Sequence, residues 1–253
     1  MILESWGISD IGSKRIVNED FFYISDEHHL YIIADGMGGH AGGECASKMA
    51  VMTIKDIMHT LRNSRDFNDY FDPHFISDDH GASLKNALEF ASTTIATYAQ
   101  THTLLKGMGT TCTAITIVDR EAYVAHVGDS RLYRLRNNML SQLTEDHSLV
   151  NEQIKMGVLS KNDAKKHAYK NIITRSIGVS ETVEVDSFHV PLQKDDLYLL
   201  ATDGLSNLVT EDEIQKTLTE YNIPTASRKL IEMANANGGD DNVTVVLVKV
   251  IEV

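Results

Sequence analysis

The chain is poor in cysteine, with two, and in proline, with three, among 253 residues. Cys45 and Cys112 have no metal-site spacing and are too few for a disulfide framework, so both are expected to be buried, reduced thiols. The scarcity of proline and the lack of a Ser/Pro-rich tract or internal repeat argue against a long interdomain hinge. One domain over residues 1–253 is the expectation. Basic residues are also in deficit. Lys plus Arg is 23 against 36 for Asp plus Glu, a net charge of −13. That balance argues against a nucleic-acid binder, whose affinity rests on neutralising phosphates. A phosphate pocket here would need metal ions or a placed arginine to offset the field. No apolar run approaches the ~18 residues of a membrane span. The opening MILESWGISD has no basic start and no long apolar core. The protein therefore reads as soluble and cytoplasmic, without a membrane partner. H-E-x-x-H, C-x-x-C and G-x-S-x-G are all missing, so common zinc and serine-hydrolase chemistries lack their signatures.

What is present is an ordinary apolar fraction, 42%, on a chain long enough to bury a sizeable core. ESWGIS, DFFYIS and LYIIA have strand character. Ala46, Met49, Ala50, Ile54, Ile57, Met58 and Leu61 recur at helical spacing. So do Leu84, Ala87, Leu88, Ala91, Ile95 and Tyr98, after a polar, acidic stretch at 63–81 that reads as a loop. TCTAITIV and AYVAHVG form a hairpin signal across residues 119–121. LYRLR and MLSQL form another across Asn137-Asn138. Residues 144–180 look irregular and partly helical. DLYLLATDG is a strand running into a turn. Thr210 and Glu213 have capping-box spacing. A further helix covers roughly 226–236 and stops at Gly238-Gly239. NVTVVLVKV reads as a buried closing strand. Strands and helices come in blocks with antiparallel hairpins, which points to α+β layers rather than a doubly wound parallel sheet.

Five glycines lie within nine residues of the stretch DGMGGHAGG, 35–43. Gly36, Gly38 and Ala41 match a dinucleotide-binding fingerprint, but Asp35 would meet the pyrophosphate with an uncompensated charge. Gly38 and Gly43 have P-loop spacing, but Glu44 stands where the lysine is needed. A different pattern repeats. LYIIA ends in Asp35-Gly36, AYVAHV in Gly128-Asp129, and LYLLAT in Asp203-Gly204. Asp240-Asp241-Asn242 opens the last strand, and Asn18-Glu19-Asp20 precedes FFYIS. Any single Asp-Gly is an ordinary turn. Gathered at one sheet edge, two carboxylates ~4 Å apart would repel by about 4 kcal/mol at an effective dielectric of ~20. Protonation or a cation would have to relieve that. All-oxygen ligands favour magnesium, manganese or calcium over zinc.

RIVNED, ADGMGGHAGGE, GMGTT, HVGDSRLYRL, LTEDHS, TRSIG, ATDGL and GGDDNVTVV occur in that order between residues 15 and 246. Together they resemble the metal-dependent type 2C (PPM) protein Ser/Thr phosphatases in their bacterial form. The resemblance implies a four-layer α-β-β-α sandwich of two antiparallel sheets with helices on both outer faces. It implies two Mn2+ or Mg2+ ions in the cleft between the sheets, and a third, weaker one. By motif, Asp35 would bridge two ions and the Gly36 carbonyl would bind one, with Glu19 near it directly or through water. Asp203 and Asp241 would hold the other. Asp129 would bind the third, sharing Asp203. Arg15 is similar to the arginine that grips the substrate phosphate, and Asp20 to a carboxylate steadying metal-bound water. A metal-bridging hydroxide would hydrolyse phosphoserine or phosphothreonine in one in-line step, without a phosphoenzyme. The substrates implied are phosphoproteins, those of a Ser/Thr kinase, and a monomer is the default.

Met37 stands where members outside bacteria carry a proposed general-acid His. Nearby His40 is expected to pack or bond within its loop. Ser92 replaces a common Asn. Residues 144–180 match the variable flap beside the cleft. Two rival readings remain: a catalytically silent binding domain, and a two-metal phosphatase for small phosphate esters. The full set Glu19, Asp35, Asp203 and Asp241 weighs against the first, and only substrate profiling separates the second.

Overall fold

The computed structural model describes residues 1–38, 41–63, 79–164 and 167–253. His40, and all but the ends of the acidic stretch at 63–81, lie outside the described residues.

Two antiparallel sheets form the centre. The first contains β1 (Ile2–Asp10), β7 (Arg131–Arg136), β8 (Met139–Gln142), β10 (Leu197–Ala201) and β11 (Val243–Glu252), in the order β1-β11-β10-β7-β8. The second contains β2 (Asp20–Ser25), β3 (Leu30–Met37), β5 (Cys112–Val118), β6 (Glu121–Val127) and β9 (Asp186–Pro191), in the order β2-β3-β5-β6-β9. The short β4 (Gly109–Thr110) pairs with the end of β3. Turn chemistry sets two of the hairpins. Asp119-Arg120 and Asn137-Asn138 all have positive φ, the backbone that a two-residue turn between twisted strands requires. The first turn is therefore two residues long, and Glu121 already pairs with Val118.

The helices are α1 (Ala41–Asn63), α2 (His80–Thr101), α3 (Leu149–Lys155), α4 (Lys161–Ala164), α5 (Asp203–Ser206), α6 (Glu211–Glu220) and α7 (Ile223–Ala236). α1 and α2 lay the predicted apolar stripes on the outer face of the second sheet: Ile54 and Leu88 pack there with Ile32 and Ala114. α6 and α7 cover the first sheet, where Ile214 and Leu230 meet Leu199 and Leu247. The two inner faces close on each other through Tyr31, Ile33, Val124, Tyr198, Leu200 and Val248. The result is the four-layer sandwich. β10 and β11 are buried on both faces, which is why they read as continuous apolar runs.

Three expectations change. Asp203 opens the short helix α5, with Thr202 in the N-cap position but without a side-chain capping bond, rather than a turn. α7 begins at Ile223 with Asn222 as its cap and Pro224 in its first turn, earlier than the apolar periodicity indicates. Both cysteines are free, but only Cys112 is buried; Cys45 is partly exposed. No helix among the described residues is long and apolar enough to cross a membrane.

Candidate metal centre

The acidic junctions all fall at one end of the sandwich. Asp20 opens β2 and is the direct register partner of Asp35 on β3. Asp129 lies in the crossover from β6 to β7, Asp203 follows β10, and Asp241 precedes β11. Two sheets thus contribute carboxylates to a single cleft.

Asp35 is held through its backbone. The Asp35 N–H donates to Thr111 Oγ1 at 3.0 Å, and the Thr111 N–H donates to the Asp35 carbonyl at 2.8 Å. The Thr110 hydroxyl donates to the same carbonyl at 2.8 Å. The Gly36 N–H donates to the Glu19 carbonyl at 3.1 Å. A Cβ on Gly36 would stand 2.1 Å from the Gly43 carbonyl oxygen, and one on Gly43 would stand 2.4 Å from Glu19 Oε1. The glycines following Asp35 therefore let the start of α1 close over Glu19 and the strand end.

Asp20 Oδ2 accepts from Thr202 Oγ1 at 2.9 Å and from Thr244 Oγ1 at 2.7 Å, so one carboxylate ties both sheets together. Asp203 Oδ2 accepts from Asn207 Nδ2 at 3.0 Å. The opposite oxygens are different. Asp20 Oδ1, Asp129 Oδ1 and Asp203 Oδ1 are buried without a hydrogen-bond partner. A desolvated acceptor without a partner costs about 1–3 kcal/mol, more if charged. Burial and then the other acids raise the Asp35 carboxyl well above its usual range. Burial pushes Asp20 up to about 7, against the Thr244 and Thr202 bonds that oppose it. Burial and then Asp241 push Asp203 up to about 6, a rise that the neighbouring Asp35 carboxyl partly opposes. Asp129 is raised by burial and then by Asp203. This is a set of oxygen donors that resist carrying charge by themselves, which is what hard divalent cations relieve. Among the described residues no three such side chains already close on one point as a finished metal cage. They line the cleft from both sheets instead.

Arg15 sits on the loop before Glu19, half exposed, and its Nη2 donates to Asp241 Oδ2 at 2.6 Å. Arg131 is committed elsewhere: its Nε and Nη2 bind Asp146 at 2.9 and 2.7 Å. Asn242 is a residue that motif reading left without a role. Its Oδ1 accepts the Glu19 N–H at 2.8 Å, and its Nδ2 donates to the carbonyls of Ile11 and Val17 at 2.9 and 3.0 Å. One buried amide thereby pins the Arg15–Glu19 loop beside Asp241. Ser92 ties α2 to the end of the flap, donating to the Ser180 carbonyl at 2.9 Å and accepting the Gly178 N–H at 3.0 Å. A cavity of about 600 Å³ runs outward from Asp129 and Asp203, between α5 and the flap residues Val150, Ile154 and Lys155.

Residues 11–239 match the protein phosphatase 2C family. The chain is 39% identical over 245 residues to the serine/threonine phosphatase stp of Listeria monocytogenes, covering 95% of this chain and 93% of that protein. The crystal structure of the Mycobacterium tuberculosis serine/threonine phosphatase PstP/Ppp superposes with a TM-score of 0.88 at 32% identity, over 100% of both chains. A structure of the PstP catalytic domain in complex with two manganese ions superposes with a TM-score of 0.84 at 31% identity, over 99% of both chains.

Proposed function

The chain belongs to the protein phosphatase 2C family, and we propose that it dephosphorylates phosphoserine and phosphothreonine on proteins at the carboxylate cleft. It is a metal-dependent Ser/Thr phosphatase. The observation that supports this site best is the gathering of Asp20, Asp35, Asp129, Asp203 and Asp241 at one end of the sandwich, where Asp20, Asp129 and Asp203 each keep a buried oxygen without a hydrogen-bond partner. In this reading Asp35, the Gly36 carbonyl, Glu19, Asp203 and Asp241 would hold two divalent cations. Asp129, with Asp203, would hold a third, weaker ion. Bound there, manganese or magnesium supplies an activated water and positive charge for the phosphoryl oxygens.

The protein's own part is placement. Arg15 swings from Asp241 to two phosphate oxygens, a geometry that its planar fork matches without losing charge. Asp20, fixed by Thr202 and Thr244, keeps Oδ1 turned to accept a hydrogen bond from a water in the cleft and so orients it. The cavity beside the flap takes the chain on either side of the phosphorylated residue. We further propose that residues 1–253 act as one phosphatase domain with a flap at 144–180. A monomer in the cytoplasm, opposing a Ser/Thr kinase, is the setting this reading implies.

Turnover of a phosphothreonine peptide with Mn2+, with and without chelator, tests the proposal. Activity should vanish with chelator, and Asp203→Asn should lower kcat by at least ~100-fold, given the cost of losing a direct metal ligand. Activity that survives chelation would end the metal-centred reading. A preference for small phosphate esters over the peptide would favour the rival substrate class.

A further inference from the structure

His147 lies at the start of the flap, buried beneath the corner that carries Asp129. Its Nδ1 accepts the Gly128 N–H at 3.0 Å, and its own backbone N–H donates to the Gly128 carbonyl at 2.7 Å. A backbone N–H can only donate, so Nδ1 carries the lone pair and the neutral ring's proton sits on Nε2. Nε2–H then faces Asp186 Oδ2 at 3.2 Å. Arg175 Nη1 holds the other oxygen of Asp186 at 2.9 Å. The His147 carbonyl accepts the Thr174 N–H at 2.8 Å. One residue thus joins the start of the flap, its return, the first residue of β9 and Gly128.

Gly128 has no slack. Its φ is +113°, and a Cβ there would lie 2.6 Å from the Cβ of Thr111. Thr111 is the residue that holds the Asp35 main chain. Gly128 is therefore clamped between Thr111 and His147, and Asp129 is the next residue. His126 packs against the His147 ring, centroids 5.0 Å apart, and its Nε2 donates to the Glu145 carbonyl at 3.0 Å, a second tie to the flap.

We propose that His147 is a positioning residue: by accepting the Gly128 N–H on Nδ1 it sets where Asp129 stands relative to Asp203, and so how tightly the weakest cation is held. This rests on the reading of Asp129 and Asp203 as ligands. Two substitutions separate the ring's two contacts. In His147→Asn, Oδ1 falls near the position of Nδ1 and can take the Gly128 N–H. In His147→Gln, the amide reaches toward Asp186 and leaves Gly128 without an acceptor. Calorimetric titration of the full chain with Mn2+ reads the effect directly, with thermal melting to confirm folding and kcat and KM for a phosphothreonine peptide alongside. The weakest Mn2+ should bind His147→Asn within about threefold of wild type. It should bind His147→Gln about tenfold more weakly or worse, in the range seen when a partner of a metal ligand is lost. Any other order of affinities overturns the proposal. A wild-type chain that binds Mn2+ but leaves the phosphopeptide intact sinks the phosphatase reading alone, and the calorimetric comparison still upholds or overturns the role of His147.

Discussion

At the scale of the residue, His126 carries a pH dependence of its own. It is fully buried, accepts or shares the Thr113 hydroxyl at 2.9 Å on Nδ1 and donates from Nε2 to the Glu145 carbonyl. Burial, and then the nearby His147, lower its pKa to about 4. The folded value lies below the unfolded 6.5, so the fold favours the neutral ring. That contribution is fully present above pH 6.5 and is lost as the pH falls toward 4, about 3 kcal/mol in all. Denaturation of wild type and His126→Gln at pH 7 and pH 4.5 should show wild type losing more stability on acidification. Parallel pH profiles would contradict it. The paired carboxylates behave oppositely in the metal-free chain, which is why the comparison is between two variants in the same buffer. Asp20, with a folded value near 7, stabilises the protonated form and loses that contribution as pH rises.

At the scale of the element, α6 separates stability from catalysis. Thr210 accepts the Glu213 N–H on its hydroxyl, and the Glu213 carboxylate returns to the Thr210 N–H at 2.9 Å. This reciprocal cap satisfies two donors that the first helical turn leaves open. Thr210→Ala should cost about 1 kcal/mol in chemical denaturation. Thr210 lines the outer part of the cavity that starts at Asp203, but its hydroxyl is committed to Glu213, so peptide turnover should stay within a factor of two. A large loss of kcat would mean that α6 takes part in binding substrate. The elements also differ in how far they could be foreseen. β3 was visible because an apolar run ended in Asp35, and the β7–β8 hairpin because Asn137-Asn138 tolerate the left-handed backbone. β9, in contrast, alternates half-buried and exposed residues and sits at a sheet edge. Its pairing with β6 links residues about 65 apart, and DSFHVP alone has no apolar run to announce it.

At the scale of the whole molecule, the acids whose charge is costliest are gathered in one place. Desolvated carboxyls from both sheets meet at one end, and their unpartnered oxygens are a standing penalty in the metal-free protein. Binding only to the folded state therefore stabilises it. At a hundred times its Kd, one bound Mn2+ should add about 2.7 kcal/mol. Thermal melting should show a clear rise in Tm from chelator to Mn2+, and the rise should shrink in Asp203→Asn. Equal melting points with and without the ion would mean that the folded chain does not bind it, and an undiminished rise in Asp203→Asn would place the cation elsewhere.

The amino-acid sequence by itself determined the local grammar: apolar runs of strand formers, helices with one apolar stripe, turn residues with the required backbone, and acids beside glycines at strand ends. It also determined the family, because eight short motifs in a set order carry more information than any one of them. Only the tertiary structure decided which acids meet. Asp20 faces Asp35 across a register, Asp203 opens a helix, and Asn242 reaches back to Glu19, all over separations that no local pattern encodes. The physical reason is that strand periodicity specifies a face, whereas the partner across that face is chosen by the packing of the entire sandwich.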